Sequence, residues 1–211
     1  MFILGLTGSI GMGKTEIAKM FRQRRVPVFD ADAVARRVSG PGGAVEGSIA
    51  RVFPDAMSGS EIDRAKLSNI IFADEKRRKY LEDLIHPAVQ SAERYFLRSA
   101  RRKKKNMVVL EIPLLFETKA DFRCTATCVV SAPRAVQVRR VLKRKDMTRA
   151  LFQKIEQTQM LDKEKRRRAD FIIEAGTSLG ETRRSVYALL HAIKYQGRPR
   201  WGSPRGRTTP G

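Results

Sequence analysis

Cysteine is scarce in this sequence: of 211 residues only Cys124 and Cys128 are cysteine, both inside "CTATCVV". That β-branched segment reads as extended, so four residues of strand set the two Cα atoms roughly 13 Å apart. A disulfide tolerates about 7 Å. A disulfide-stapled secreted fold is therefore excluded, and a reducing compartment is expected. Histidine is equally rare, with His86 and His191 alone, and neither stands at zinc-ligand spacing from the cysteines. Long apolar runs are missing too. The first, "FILGLT", is too short for a signal peptide and has no basic leader, and no later run reaches the length of a membrane span. The expectation is a soluble, cytoplasmic protein with no membrane partner. Acid is the last shortage: 22 Asp and Glu face 43 Lys and Arg, for a formal net charge of +21. Such a field speeds encounter with nucleotides, phosphorylated cofactors and nucleic acid alike, and does not choose among them. Much of the excess sits in "RRKKK" (101–105), "KEKRRR" (163–168) and the tail from residue 196, "QGRPRWGSPRGRTTPG". The two runs read as solvated faces and the tail as a basic disordered segment, for which nucleic-acid contact is a secondary property.

What is present begins almost at once. Residues 8–15 read G-S-I-G-M-G-K-T, which meets the phosphate-loop pattern G-x-x-x-x-G-K-[ST] at every fixed position. Ahead of it "FILGLT" has the apolar run of a buried parallel strand; behind it "KTEIAKMFRQRR" puts Ile17, Ala18 and Phe21 on one helical face. Strand, glycine loop, helix is the order the motif requires. Gly8, Gly11 and Gly13 allow successive N–H groups to turn inward around an anion at a helix N-terminus. Lys14 is expected to neutralise the β- and γ-phosphates of a nucleotide, and the Thr15 hydroxyl to ligate its Mg²⁺.

Further along, "VPVFDAD" is a second short strand, with Pro27 marking an edge or a strand start and Asp30 and Asp32 as an acidic pair on one side of the strand end. Residues 33–106 read as mostly helical, including a long amphipathic stretch broken near His86 by Pro87. "MVVLEI", "ATCVVS" and "DFIIEA" supply three more strands, with helices over about 134–144 and at "LFQKIEQTQM", "DKEKRRRA" and "LGETRRSVYALLHAIKY". Five apolar strands separated by helices predict an α/β fold, a five-stranded parallel sheet covered on both faces. In such a sheet the ligand lies at the carboxyl ends of the strands, where the phosphate loop, Asp30, Asp32 and Glu111 fall.

No D-x-x-G occurs anywhere, which excludes a regulatory GTPase. "TKAD" (118–121) imitates the guanine-reading T-K-x-D by coincidence of position. A single Glu111 followed by proline is not the acidic pair of a translocating ATPase. A small-molecule kinase remains, since such an enzyme needs an acceptor-side acid, a helical substrate region and arginines that close over the triphosphate.

The chain resembles the dephospho-coenzyme A kinase family. The matching text is "LTGSIGMGKT", "VFDADAVARRV" followed by "PGG", "IDRAKLSNIIF", "LEDLIHPAV", "IPLLFET", "QVRRVLKR", "MTRALFQKIEQTQM" and "KRRRADFII", in family order over residues 2–175. The resemblance implies a nucleoside-monophosphate-kinase-like domain over 1–195. Its core would be 1–32, 107–138 and 169–195, with a helical CoA-binding insertion at about 33–106 and a lid at about 139–168. It implies transfer of the ATP γ-phosphoryl group to the ribose 3′-hydroxyl of dephospho-CoA, with Mg²⁺. The sequence does not give the oligomeric state, for which a monomer is the favoured expectation. Asp32 is then the candidate base, against the competing role of a helix N-cap, with Lys14 and Arg140 as the other catalytic residues. Gly8, Gly11, Met12, Gly13, Lys14, Thr15, Glu16 and Arg144 would contact ATP, Arg144 sharing a helical face with Arg140. Asp30, Arg64, His86 and Leu114 would join Asp32 on the acceptor side, with Thr15 on the metal and Asp30 reaching it through water. His86 equally suits a helix-end hydrogen bond. "KTE" stands where the family often has K-S-T, and "IIEAG" replaces its I-D-N-x-G. A kinase of another small acceptor, such as a nucleoside monophosphate, and a nucleic-acid-binding phosphate-loop protein are the alternatives.

Overall fold

The computed structural model describes residues 1–59, 61–145 and 147–196; the tail beyond 196, read above as disordered, lies outside them. In chain order the elements are β1 (Phe2–Thr7), α1 (Lys14–Gln23), β2 (Val28–Asp30), α2 (Ala31–Val38), α3 (Glu46–Val52), β3 (Met57–Ser58), β4 (Glu61–Ile62), α4 (Arg64–Ala73) and α5 (Glu75–Arg102). They continue with β5 (Met107–Glu111), β6 (Ala126–Ser131), α6 (Arg134–Leu142), α7 (Arg149–Gln157), α8 (Asp162–Arg168), β7 (Phe171–Glu174) and α9 (Leu179–Gln196). Two compact units result, one from residues 1–29 and the chain after 103, the other from residues 30–103.

The first unit carries the five-stranded sheet, in the order β2-β5-β1-β6-β7. β1 pairs in parallel with β5 and with β6, and β6 with β7. β2 is an edge strand, as Pro27 foretold, and the Pro27 carbonyl accepts from the Val109 N–H at 2.9 Å. Leu4, Leu6, Val109, Cys128, Val130 and Ile173 face Ile17 and Phe21 of α1 and Val186 and Leu189 of α9. Val108, Leu110 and Val129 are buried as well. With both faces covered, the strands read as continuous apolar runs instead of alternating ones. Helix α9 starts on a capping box: the Ser178 N–H donates to Glu181 Oε2 while the Glu181 N–H donates to Ser178 Oγ, each at 3.2 Å. The backbone N–H of Ser178 holds the exposed Glu181 carboxyl below its ordinary value. No helix among the described residues is long and apolar enough to cross a membrane.

Cys124 and Cys128 are buried thiols with no disulfide between them, and desolvation pushes the Cys128 thiol far above the usual thiol range. Only the thiolate is nucleophilic. A chromogenic thiol reagent should therefore release almost no colour from the native protein and titrate two cysteines once it is unfolded; rapid native labelling would contradict this packing.

The second unit has its own core, Ile49, Phe53, Ile62, Leu67 and Leu81, built from α3, the β3–β4 hairpin, α4 and α5. Two expectations are corrected here. The stretch read as mostly helical contains the antiparallel hairpin, which pairs Met57 with Ile62 and Ser58 with Glu61. Pro87 does not break the long helix, and α5 runs through it for 28 residues. Pro87 and Asp83 are both exposed, so the Asp83 carbonyl that loses its intrahelical donor meets water. Leu81, Leu84 and Ile85 meanwhile hold the helix on the core.

Candidate active site

β1 delivers the chain into the glycine loop and α1 leaves it, both anchored by buried side chains. Gly8 has φ 149°, and a Cβ there would stand 2.4 Å from the Val130 carbonyl oxygen. Gly13, the N-cap of α1, is left-handed at φ 103°. Neither position admits a side chain without strain. Among the described residues no side chain caps α1, the arrangement in which a bound anion serves as the cap. Lys14 folds back over the loop, its Nζ donating to the carbonyls of Gly8 at 2.5 Å and Ser9 at 3.4 Å. Its ammonium is thereby held against the loop.

Arg140 reaches the same place from α6. It donates through Nη1 to the Met12 carbonyl at 3.4 Å and through Nη2 to the Ala175 carbonyl at 2.7 Å. The guanidinium passes 3.3 Å from where a Gly13 Cβ would stand. The structure thus brings together the loop, Lys14, Arg140 and the turn after β7. Met12 is buried and accepts the Ala132 N–H on its sulfur at 3.2 Å. Thr15 and Glu16 are exposed on the first turn of α1, and Glu16 pairs with Lys19 at 2.7 Å. Arg144 requires a correction. α6 ends at Leu142, its cap is Lys143, and the exposed Arg144 lies past the cap, so it does not continue the helical face of Arg140. Leu114 is half-buried in the turn after β5, its carbonyl accepting from the Thr118 N–H and hydroxyl. Glu111 is buried at the end of β5, beside Leu6 in register.

The acceptor-side candidates sit on the second unit, apart from Leu114. Asp30 ends β2 and caps α2, its carboxylate accepting the Ala33 N–H at 2.8 Å. Asp32 is exposed in the first turn of α2. The two acids are therefore not neighbours on one strand face, because the strand stops at Asp30 and the helical repeat begins. The capping role weighed for Asp32 belongs to Asp30. Arg64, the first residue of α4, follows the cap Asp63 and donates to the Arg36 carbonyl at 2.9 Å. His86 is exposed in the body of α5 and not at a helix end.

Several polar residues at the site had no local signal in the sequence. Gln159 accepts the Ile10 N–H and Gln137 donates to the Ile10 carbonyl in the loop. Lys165, in a run read as a solvated face, is fully buried, with Nζ 2.9 Å from Glu117 and 3.1 Å from the Pro113 carbonyl. Its neighbours in the run do face outward: Lys163, Arg166 and Arg167 line a cavity of about 500 Å³ at the carboxyl ends of β6 and β7, with Asp162 and Glu174.

A model of the family described as dephospho-CoA kinase matches residues 2–181. A dephospho-CoA kinase of Bartonella quintana is 42% identical over 195 residues, which cover 92% of this chain and 98% of that protein. Among solved structures, TT1252 from Thermus thermophilus superposes with a TM-score of 0.79 at 37% identity, over 91% of this chain and 97% of its own. A dephospho-CoA kinase from Campylobacter jejuni shares the fold at TM-score 0.67 and 22% identity, over 90% and 96%.

Proposed function

The chain belongs to the dephospho-CoA kinase family, and from that premise we propose that it transfers the γ-phosphoryl group of ATP to the ribose 3′-hydroxyl of dephospho-CoA, releasing CoA and ADP in the last step of coenzyme A synthesis. The observation that carries the reading is the convergence of a glycine-built anion nest, the Lys14 ammonium and the Arg140 guanidinium at the start of α1. Phosphoryl transfer passes through a loose transition state whose charge is spread over the equatorial oxygens, so the protein contributes mainly position and positive charge. In this reading Gly8, Gly11, Met12, Gly13 and Glu16 frame the bound nucleotide. Lys14 exchanges its carbonyl partners for β- and γ-phosphate oxygens, and Arg140 meets the developing charge from the opposite side.

The Thr15 hydroxyl, exposed beside Lys14, is the hard oxygen donor that would hold Mg²⁺, with Asp30 acting through water. Among the described residues no group of three or more His, Cys, Asp or Glu forms a protein cage for a metal, which suits an ion that draws most ligands from phosphate and water. When bound, Mg²⁺ neutralises charge across the phosphates. Asp32 takes or orients the acceptor hydroxyl proton. Arg64, His86 and Leu114 contribute to acceptor binding, and residues 139–168 act as the lid, with Arg144 on ATP. The enzyme works in the cytoplasm as a monomer.

The test is ADP release by the purified chain with ATP and Mg²⁺, with and without dephospho-CoA, and a mass measurement of the product. Strong dependence on dephospho-CoA and a product heavier by one phosphate are expected. ADP release indifferent to it, or stronger with a nucleoside monophosphate, would overturn the reading. Tight, salt-steep nucleic-acid binding without acceptor-dependent turnover would favour the nucleic-acid alternative.

A further inference from the structure

Ile10, in the phosphate loop, has both of its backbone groups taken by glutamine side chains far off in sequence. Its N–H donates to Gln159 Oε1 at 3.0 Å, and its carbonyl accepts from Gln137 Nε2 at 2.9 Å. Gln137 is buried, and its own orientation is set from behind, since Arg134 Nη1 donates to Gln137 Oε1 at 2.8 Å. Arg134 also forks onto Glu156 of α7, with Nη2 to Oε2 at 2.8 Å. Glu156 lies one turn of chain before Gln159, so the contacts close a ring: Ile10, Gln137, Arg134, Glu156 and back through Gln159.

The ring is fastened again one residue later. The Met160 N–H donates to Glu117 Oε1 at 2.8 Å, and Glu117 pairs with the buried Lys165. The Pro113 carbonyl takes both Lys165 Nζ and, at 2.9 Å, the hydroxyl of Thr7, the residue just before the loop. Segment 159–165 thus binds the loop directly at Ile10, through Gln159, and shares the Pro113 carbonyl with Thr7 through Lys165.

We infer that Gln159 and Gln137 are positioning residues for the phosphate loop, acting through the backbone N–H and carbonyl of Ile10 to keep its anion nest open and to couple it to the α7–α8 connection. The inference rests on the nucleotide role assigned to the loop above. A loop whose amides are oriented before ATP arrives loses little entropy on binding, which raises affinity without a new contact to the ligand. A ring closed through α7 also makes loop geometry depend on where that helix sits.

The chemistry at the two positions is opposite, and this supplies the test. At 159 an acceptor suffices, whereas at 137 a donor is needed. Binding of Mg²⁺-ATP to the full chain would be measured by calorimetry for Gln159→Met, Gln159→Glu, Gln137→Met and Gln137→Glu, with a thermal midpoint for each. The two methionine variants keep the bulk and should bind ATP about tenfold more weakly, the scale of one lost, well-placed hydrogen bond. Gln159→Glu should restore most of the affinity, and Gln137→Glu should not. Methionine variants within twofold of wild type, or the reverse order of the two glutamate variants, would overturn the inference. If the wild-type chain binds ATP but ignores dephospho-CoA, the proposed reaction falls while this comparison still decides the positioning role.

Discussion

Asp32→Asn is expected to abolish phosphoryl transfer to dephospho-CoA while ATP binding and folding stay close to wild type. The reason lies in the division of labour at the start of α2. Asp30 already supplies the cap, its carboxylate taking the Ala33 N–H, so the helix does not depend on Asp32 for that hydrogen bond. Asparagine at an exposed first-turn position gives up the favourable interaction of a carboxylate with the helix dipole, a few tenths of a kcal/mol. Turnover is a different matter. Removing a positioned proton acceptor costs on the order of 10²–10⁴ in rate, and the isosteric amide keeps the shape while losing the basic oxygen. Steady-state kinetics with dephospho-CoA, calorimetric ATP binding and a thermal midpoint on one preparation separate the possibilities. A rate within threefold of wild type would remove Asp32 from the chemistry. A lowered midpoint with proportionate loss of ATP binding would instead mark it as a structural residue. Asp30→Ala is the informative partner, since loss of the cap should appear in stability, by about 1 kcal/mol.

What was legible in the sequence was what is local. The phosphate loop is a contiguous pattern whose glycines answer to backbone geometry within the loop, and the apolar runs of β1, β5 and β6 announce strands buried on both faces. The acid pair was misread because two residues are too few to show whether the period is two or 3.6, and the chain changes from one to the other between Asp30 and Asp32. The β3–β4 hairpin was invisible for a similar reason, since two residues per strand carry no alternation. At Pro87 a sound local rule lost to packing on both sides. The support beneath the loop left no trace at all. Ile10 meets Gln159 and Gln137 across separations of 149 and 127 residues, and nothing in "QTQM" or "QVRR" names a partner. Lys165 looked like its cationic neighbours because composition reports a run's mean character, whereas burial is decided residue by residue along the helix.

That buried lysine gives the largest expected effect on stability. Lys165 is fully buried and its partner Glu117 partly so, its side chain 17% exposed, with Glu117 Oε1 shared between the ammonium and the Met160 N–H. Glu117 Oε2 is buried with no hydrogen-bond partner among the described residues. The pair is thus only just compensated. Lys165→Met would leave a carboxylate with one backbone N–H to offset the loss of water, and breaking a buried pair from one side costs about 3–5 kcal/mol. For a chain of this size that lowers the unfolding midpoint by roughly 10 °C. The double change Lys165→Met with Glu117→Gln removes both charges and keeps an acceptor for Met160, so it should be more stable than Lys165→Met alone. Such a gain on adding a second mutation is the signature of an ion whose cost is its isolation, and no account based on lost packing produces it. Denaturant unfolding of the four proteins in this cycle measures it directly. Additive losses, with the double variant the least stable, would mean that Lys165 contributes through its hydrocarbon stem and its bond to Pro113, and that Glu117 holds the Met160 turn independently of the charge beside it.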